Sequence, residues 1–274
     1  MLHDSVKAAW HTFSEPLEGR VAGMYLDIRG LVTCAVGILI DPLSLAMPLP
    51  WKRDSDGQPA TPDQVRAAWH VLKSRQDLKK RNVSHARALT GLHLDDADID
   101  ALVAKKLEEN AAFITAHHFP LFDEFPADAQ LGIMSMAWAV GPGFPTKFPT
   151  FAGFAKRQAW EDAIEHCSIR TEGNPGVIPR NRANRVCFAN AEIVNRCGLA
   201  LDILRWPNVA MAEVPQSDAP AFLGTLVPGA LDDARIYADE AANRARERAS
   251  ARDLLEDPAD EITKQVGFKR EAIA

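Results

Sequence analysis

The sequence predicts an α+β protein, mostly helical, with a small antiparallel sheet near its N-terminus. Most apolar residues recur at helical spacing along the chain. Two β-rich runs, GMYLDI and LVTCAVGILI, break that rule and meet around Arg29-Gly30, as a hairpin would. A third segment, AQLGIMSMAWAV (129–140), is apolar on every side, which marks a helix buried in the middle of a core.

Taken in order, DSVKAAWHTF places Val6, Trp10 and Phe13 at helical spacing and is expected to end before Pro16, which lacks the N–H a helix interior needs. Glu18-Gly19 then hands the chain to the two strands, with Gly30 supplying the turn. Residues 41–60 are rich in proline and turn formers and read as irregular. Thr61-Pro62-Asp63-Gln64 forms a capping box, with Pro at the first helical position, and predicts a helix to about Lys80. The next helix opens at Asp95-Asp96, with acids at its positive end, and buries Ile99, Leu102, Val103, Leu107, Phe113 and Ile114. Gly141-Pro142-Gly143 stops the central helix. FAGFAKRQAWEDAIEHC reads as one amphipathic helix, and NRANRVCFANAEIVNRCGLA as another, starting at Asn181 or Arg182. The expected core includes Ile133, Met134, Trp138, Phe154 and Trp160.

Length and composition bound the function. The 274 residues suffice for a large core, and 47% hydrophobic with 25% charged residues is ordinary for a globular chain. The longest apolar stretch, LVTCAVGILIDPLSLAMPLP, is interrupted by Asp41, Pro42, Pro48 and Pro50, so no segment predicts a membrane span. The first residues lack the basic start and apolar run of a secretory signal, so synthesis in the cytoplasm without a leader is expected. Residues 206–274 hold 13 acidic and 8 basic residues, a net of −5, which leaves −1 of the total −6 for residues 1–205. No concentrated basic face appears, which disfavours nucleic acid as a partner. Cys34, Cys167, Cys187 and Cys197 include no CxxC pair and match no common zinc spacing. Buried free thiols are expected, with disulfides or a metal site as alternatives, and no cofactor is called for.

Chemistry concentrates at the hairpin. Glycosidic cleavage needs an acid for the leaving oxygen and a carboxylate that steers water or stabilises the sugar cation. Glu18 at a helix end, with Asp27 and Thr33 on the two sides of the Gly30 turn, could surround one bond with those groups, although solvated surface acids would give the same pattern. The spacing goes further. Glu18-Gly19, Tyr25, Asp27, Gly30, Thr33 and Gly37 together resemble the catalytic signature of phage-type lysozymes, glycoside hydrolase family 24. Downstream, Ala137-Trp138-Ala139-Val140-Gly141 resembles the family's central helix and its stop. Lys156-Arg157-Gln158-Ala159-Trp160-Glu161-Asp162-Ala163 resembles its "RxWxxA" helix, and Pro179-Arg180-Asn181-Arg182-Ala183-Asn184-Arg185 its "NRR"-like segment.

That resemblance covers roughly residues 5–205 and implies a two-lobed lysozyme-like catalytic domain over residues 1–205, with the small sheet in the N-terminal lobe. It implies Glu18 as general acid, Asp27 and Thr33 as holders of the attacking water, and Arg182 as the group that reaches Glu18. It also implies an inverting muramidase acting on the β-1,4 bond between N-acetylmuramic acid and N-acetylglucosamine of peptidoglycan, in the periplasm or wall of a target bacterium. Two departures stand out: Ala35 and Ile38 occupy positions where the family has Gly and His, and residues of about 42–93 form an added segment in the first lobe. Residues 206–274 are expected to begin with a Pro/Gly-punctuated strap on the domain and to continue as an Ala-rich acidic helix that is an attachment.

A phage endolysin and a delivered antibacterial effector both fit; the second implies delivery machinery and an immunity protein as partners. A non-catalytic lysozyme-fold protein is the competing class, disfavoured by the intact Glu18, Asp27 and Thr33. His117-His118 could suggest a metal but lacks a third ligand. His70, Trp51 and Trp69 could line a cleft or serve the core or surface.

Overall fold

The computed structural model describes residues 1–79, 83–208 and 236. Helix α1 (Asp4–Glu18) leads into a three-stranded antiparallel sheet of β1 (Val21–Leu26), β2 (Val32–Ala35) and β3 (Ile38–Leu39). Then come α2 (Leu43–Ala46), β4 (Lys52–Arg53), α3 (Pro62–Ser74), α4 (Val83–Thr90) and β5 (Leu92–His93), with β4 and β5 pairing as a second small sheet. The rest of the described chain is helical: α5 (Asp96–His117), α6 (Ala127–Val140), α7 (Pro149–Lys156), α8 (Trp160–His166) and α9 (Ile178–Cys197). The protein is therefore α+β and mostly helical, with the sheets of the described residues confined to residues 21–93.

Helix α6 is the centre of the core. Every residue from Ala127 to Ala137 is buried, and α6 packs against α1, α5 and α9. A helix apolar all round can satisfy its surface only by being enclosed, which is why this segment sits in the middle. Ile133, Met134 and Trp160 are fully buried, whereas Trp138 and Phe154 are half-buried at the core's edge. The α3 capping box forms as expected: Thr61 Oγ1 accepts from the Gln64 N–H, and Gln64 Oε1 accepts from the Thr61 N–H. The first helix continues through Pro16 to Glu18: beyond the proline Leu17 packs against the core and Gly19 N–H closes the last turn on Glu15 O, so the one missing donor does not end it.

Other boundaries moved for tertiary reasons. Helix α3 ends at Ser74, followed by a short 3-10 turn at Gln76–Leu78. The second predicted strand divides at a turn where Ala35 and Gly37 both take positive φ, 54° and 72°. The single helix expected over residues 151–167 is two, α7 and α8, separated at Gln158 (φ 54°), and the break turns Trp160 inward to stack on Phe188 at 5.9 Å. Phe113 is exposed, since Ile114 is the residue in phase with the buried Ile99–Val103–Leu107 stripe and Phe113 lies about 100° around the helix; it packs on the His117 ring instead, at 4.4 Å. Leu102 is half-buried.

The four cysteines are free thiols, three of them buried. No described helix is long and apolar enough to cross a membrane. Trp206 does lie on the domain: its indole meets Phe13 edge-on at 5.0 Å, and its backbone N–H donates to buried Asp128 at 2.9 Å. Apart from residues 207, 208 and 236, the rest of the predicted strap and the acidic helix fall outside the described residues.

Candidate active site

Glu18 is the last residue of α1, and the chain on both sides of it is fixed. The helix closes with Gly19 N–H donating to Glu15 O at 2.8 Å. Arg20 then donates to Glu15, Asp96 and Asp100 at 2.8–3.1 Å, which pins the helix end to the start of α5. The Glu18 side chain is 25% exposed, so a substrate can reach it.

One of its oxygens is held. Arg180, on the first turn of α9, donates through Nη2 to Glu18 Oε1 and through Nη1 to the Ser135 carbonyl and hydroxyl at 3.0 and 3.1 Å. The guanidinium side chain is only 4% exposed, so this is a buried cation whose charge is met by Glu18. The sequence had pointed to Arg182 for this role, and the structure places Arg180 there. Helix α9 begins at Ile178 with Pro179 in its first turn, three or four residues earlier than expected, and two residues rotate a side chain by about 200° around a helix. Arg180 and Arg182 therefore face different directions. Pro179 was the signal available in the sequence, because proline favours the first helical position.

The other Glu18 oxygen, Oε2, faces Gly37 in the β2–β3 turn. A Cβ at Gly37 would lie 3.0 Å from Oε2 and 3.7 Å from Trp138 Nε1. Trp138 in turn donates to the Val36 carbonyl at 2.9 Å, so the end of α6 grips this turn. Sequence reading gave Trp138 a core role; its contact with Val36 makes it also a tie between α6 and the sheet.

Asp27 follows β1 and organises the hairpin turn. Its Oδ1 accepts from the N–H groups of Arg29 and Leu31, both at 2.8 Å, while Oδ2 has no partner among the described residues. Thr33, 4% exposed in β2, donates through Oγ1 to the Leu31 carbonyl at 3.2 Å. Asp27 and Thr33 are thus bound to the two ends of one residue, Leu31. Thr33 also pairs with Tyr25 across the β1–β2 ladder, which sets both side chains on one face of the sheet. Burial pushes the Tyr25 phenol well above its usual range, and the negative charges of Glu18 and Asp27 push it the same way. Glu18 and Asp27 therefore both act on one phenol, with Thr33 beside it. Burial also pushes the neighbouring Cys34 thiol up to about 12, so it stays protonated and unreactive.

Asp27 and Thr33 meet at Leu31, and Glu18 shares with Asp27 the Tyr25 phenol on which both charges act; the remaining candidates have no such link. Trp51 and Trp69 are buried, their indoles donating to the Ala46 and Ile40 carbonyls, and His70 is on the surface. His117 and His118 lie at the end of α5, and no group of three possible metal ligands occurs among the described residues. Two surface cavities, about 720 and 540 Å³, lie elsewhere, one against Lys156, Gln158 and Asn195 and the other between Gln64, Val71 and Leu89. Neither is lined by Glu18, Asp27 or Thr33.

The approach at Gly37 can be tested by stability. Gly37→Ala must hold Ala at φ 72° and move the Glu18 carboxylate, whereas Gly57→Ala meets no atom within 4 Å at nearly the same φ, 69°. Backbone strain common to both costs about 1–2 kcal/mol, offset in part by reduced freedom of the unfolded chain. Urea unfolding should show Gly37→Ala the less stable of the two. Equal midpoints would mean that Glu18 does not stand against this turn.

Scans against protein-family models, curated proteins and solved structures find no match.

Proposed function

We propose that this protein is a glycoside hydrolase using a carboxyl pair, and that its particular activity is that of a muramidase cleaving the β-1,4 bond between N-acetylmuramic acid and N-acetylglucosamine in peptidoglycan. The observation that supports it most is the pair of differently prepared carboxyls. Glu18 has one oxygen tied to a buried arginine and the other directed at an open glycine, while Asp27 has one oxygen tied into its own turn and the other unengaged. A two-carboxyl hydrolysis asks for this division of labour.

Glu18, a carboxylate at rest, takes up a proton from solvent on Oε2 and donates it to the leaving glycosidic oxygen. Arg180 on Oε1 keeps the carboxyl in one orientation. Asp27 Oδ2 takes a proton from the attacking water, and Thr33, whose own hydrogen is given to Leu31, offers that water an acceptor. Water attacks the anomeric carbon opposite the leaving group, so the configuration inverts, as the resemblance to phage-type lysozymes implies. Endolysin and delivered effector remain the two settings in which the enzyme would meet a wall.

The test is direct: purified protein added to purified peptidoglycan should lower turbidity and release reducing ends. Asp27→Ala should lose most of that activity, because general-base assistance is worth about 10² to 10⁴ in rate. Thr33→Ala should lose less, since it orients the water without taking its proton. No reducing ends from wild-type protein would reject the muramidase reading; equal activity of Asp27→Ala would reject the role of Asp27.

A further inference from the structure

The segment between β3 and α5 does more than enlarge the sheet-bearing part of the molecule. Its main helix, α3, lies over the turn that carries Asp27. Lys73, in the last turn of α3, donates through Nζ to the Gly30 carbonyl at 2.9 Å and to the Asp41 carboxylate. Asp41 Oδ2 accepts the Val32 N–H at 3.1 Å. Gln76, just past α3, donates to the same Gly30 carbonyl at 3.4 Å. Gly30 is buried beneath these groups: with φ 77°, a Cβ there would run into Gln76 Oε1 and the Lys79 side chain. Lys73 is held in its turn by the Trp69 ring, 5.9 Å from Nζ, whose indole N–H is fixed on Ile40 O.

These bonds close around one residue. The Gly30 carbonyl and the Val32 N–H flank Leu31, and Leu31 supplies an N–H to Asp27 and a carbonyl to Thr33. A two-residue reach of backbone, held at both ends by one lysine and its carboxylate, therefore sets where both groups stand. Without Lys73, Asp41 keeps a half-buried carboxylate without its cation, and the Gly30 carbonyl loses its stronger donor.

We infer that Lys73 is a positioning residue, acting through Gly30 and Asp41 to hold Asp27 and Thr33 in their working geometry. This rests on the proposed hydrolase reading for its catalytic consequence, but the latch itself does not. Lys73 acts through the Gly30 carbonyl and Asp41 and is not required to touch substrate, so its effect belongs to kcat and not to KM. Displacement of a catalytic group by about 1 Å can cost on the order of 10²-fold in rate.

The experiment compares wild type with Lys73→Met, Lys73→Arg and Gln76→Ala by amide hydrogen exchange and by peptidoglycan hydrolysis. In Lys73→Met the Arg29, Leu31 and Val32 amides should exchange at least about tenfold faster, while core amides of α6 keep their protection. The kcat should fall about tenfold or more with KM within about twofold, and Lys73→Arg should restore most of it. In an Asp27→Ala background Lys73→Met should add little further loss, because both act on one step. Should Lys73→Met not fold, Gln76→Ala gives the same local exchange to a smaller extent. Unchanged exchange at Leu31, or acceleration spread equally over the whole protein, overturns the latch. Local acceleration with wild-type kcat overturns the positioning role. If wild-type protein hydrolyses no peptidoglycan, the exchange arm still decides the latch, and only the muramidase reading falls.

Discussion

Replacing Glu18 by Gln is expected to leave a folded protein whose release of reducing ends falls by about 10² to 10⁴-fold, the usual worth of a positioned proton donor. The substitution keeps the shape of the side chain and an amide oxygen where Oε1 accepts from Arg180, so the contact survives as a weaker, uncharged one. What disappears is the ability of Oε2, the oxygen directed away from the arginine, to take up a proton and pass it on. Binding to peptidoglycan should persist, because the sugar-facing surface is unaltered. The measurement pairs circular dichroism and pelleting with insoluble wall against a reducing-end assay. Wild-type turnover by a folded Glu18→Gln protein would refute the assignment of the general acid and with it the mechanism.

Arg180→Met should have the largest effect on stability, a loss of about 2–4 kcal/mol. Removing one partner of a buried ion pair typically costs about 3–5 kcal/mol, and a figure toward the lower end fits here because the stranded Glu18 is a quarter exposed and can be hydrated. The Ser135 carbonyl and hydroxyl lose their guanidinium donor as well. Arg180→Lys should recover only part, since an ammonium cannot span Ser135 and Glu18 with the planar fork that the arginine uses. Activity should fall even where the protein is folded, as Glu18 is then free to rotate. Urea unfolding of Arg180→Met, Glu18→Met and the double variant gives the coupling: the double should be more stable than the two single losses add to, because no lone charge is left behind. Strict additivity would show that the pair does not interact.

The same arginine marks the limit of what could be read from the residues alone. The segment PRNRAN was legible as the one that meets Glu18, with Arg182 as the expected cation, but the contact is made by Arg180, 162 residues from Glu18 in sequence. Choosing between them required the phase of α9 against α6, which depends on where the helix begins. Phe113 failed for the same cause: both it and Ile114 are large and apolar, and only the packing of α5 selects one. Pro16 and the Gln158 break show the reverse, local preferences overruled by packing of Leu17 and burial of Trp160.

What the sequence by itself determined was local and periodic. The capping box at Thr61, the hairpin turn at Gly30, the all-round apolar α6 and the spacing of Glu18, Asp27 and Thr33 are all set by residues within a few positions of one another. Backbone sterics and hydrogen bonding act over that range whatever the rest of the chain does. Tertiary structure alone decided which cation meets Glu18, that Gly37 leaves room beside it, and that Lys73 closes over the Asp27 turn. Each of those joins groups from different elements, and its geometry follows from how close-packed helices settle against one another, a property of the whole core that no short stretch of the chain contains.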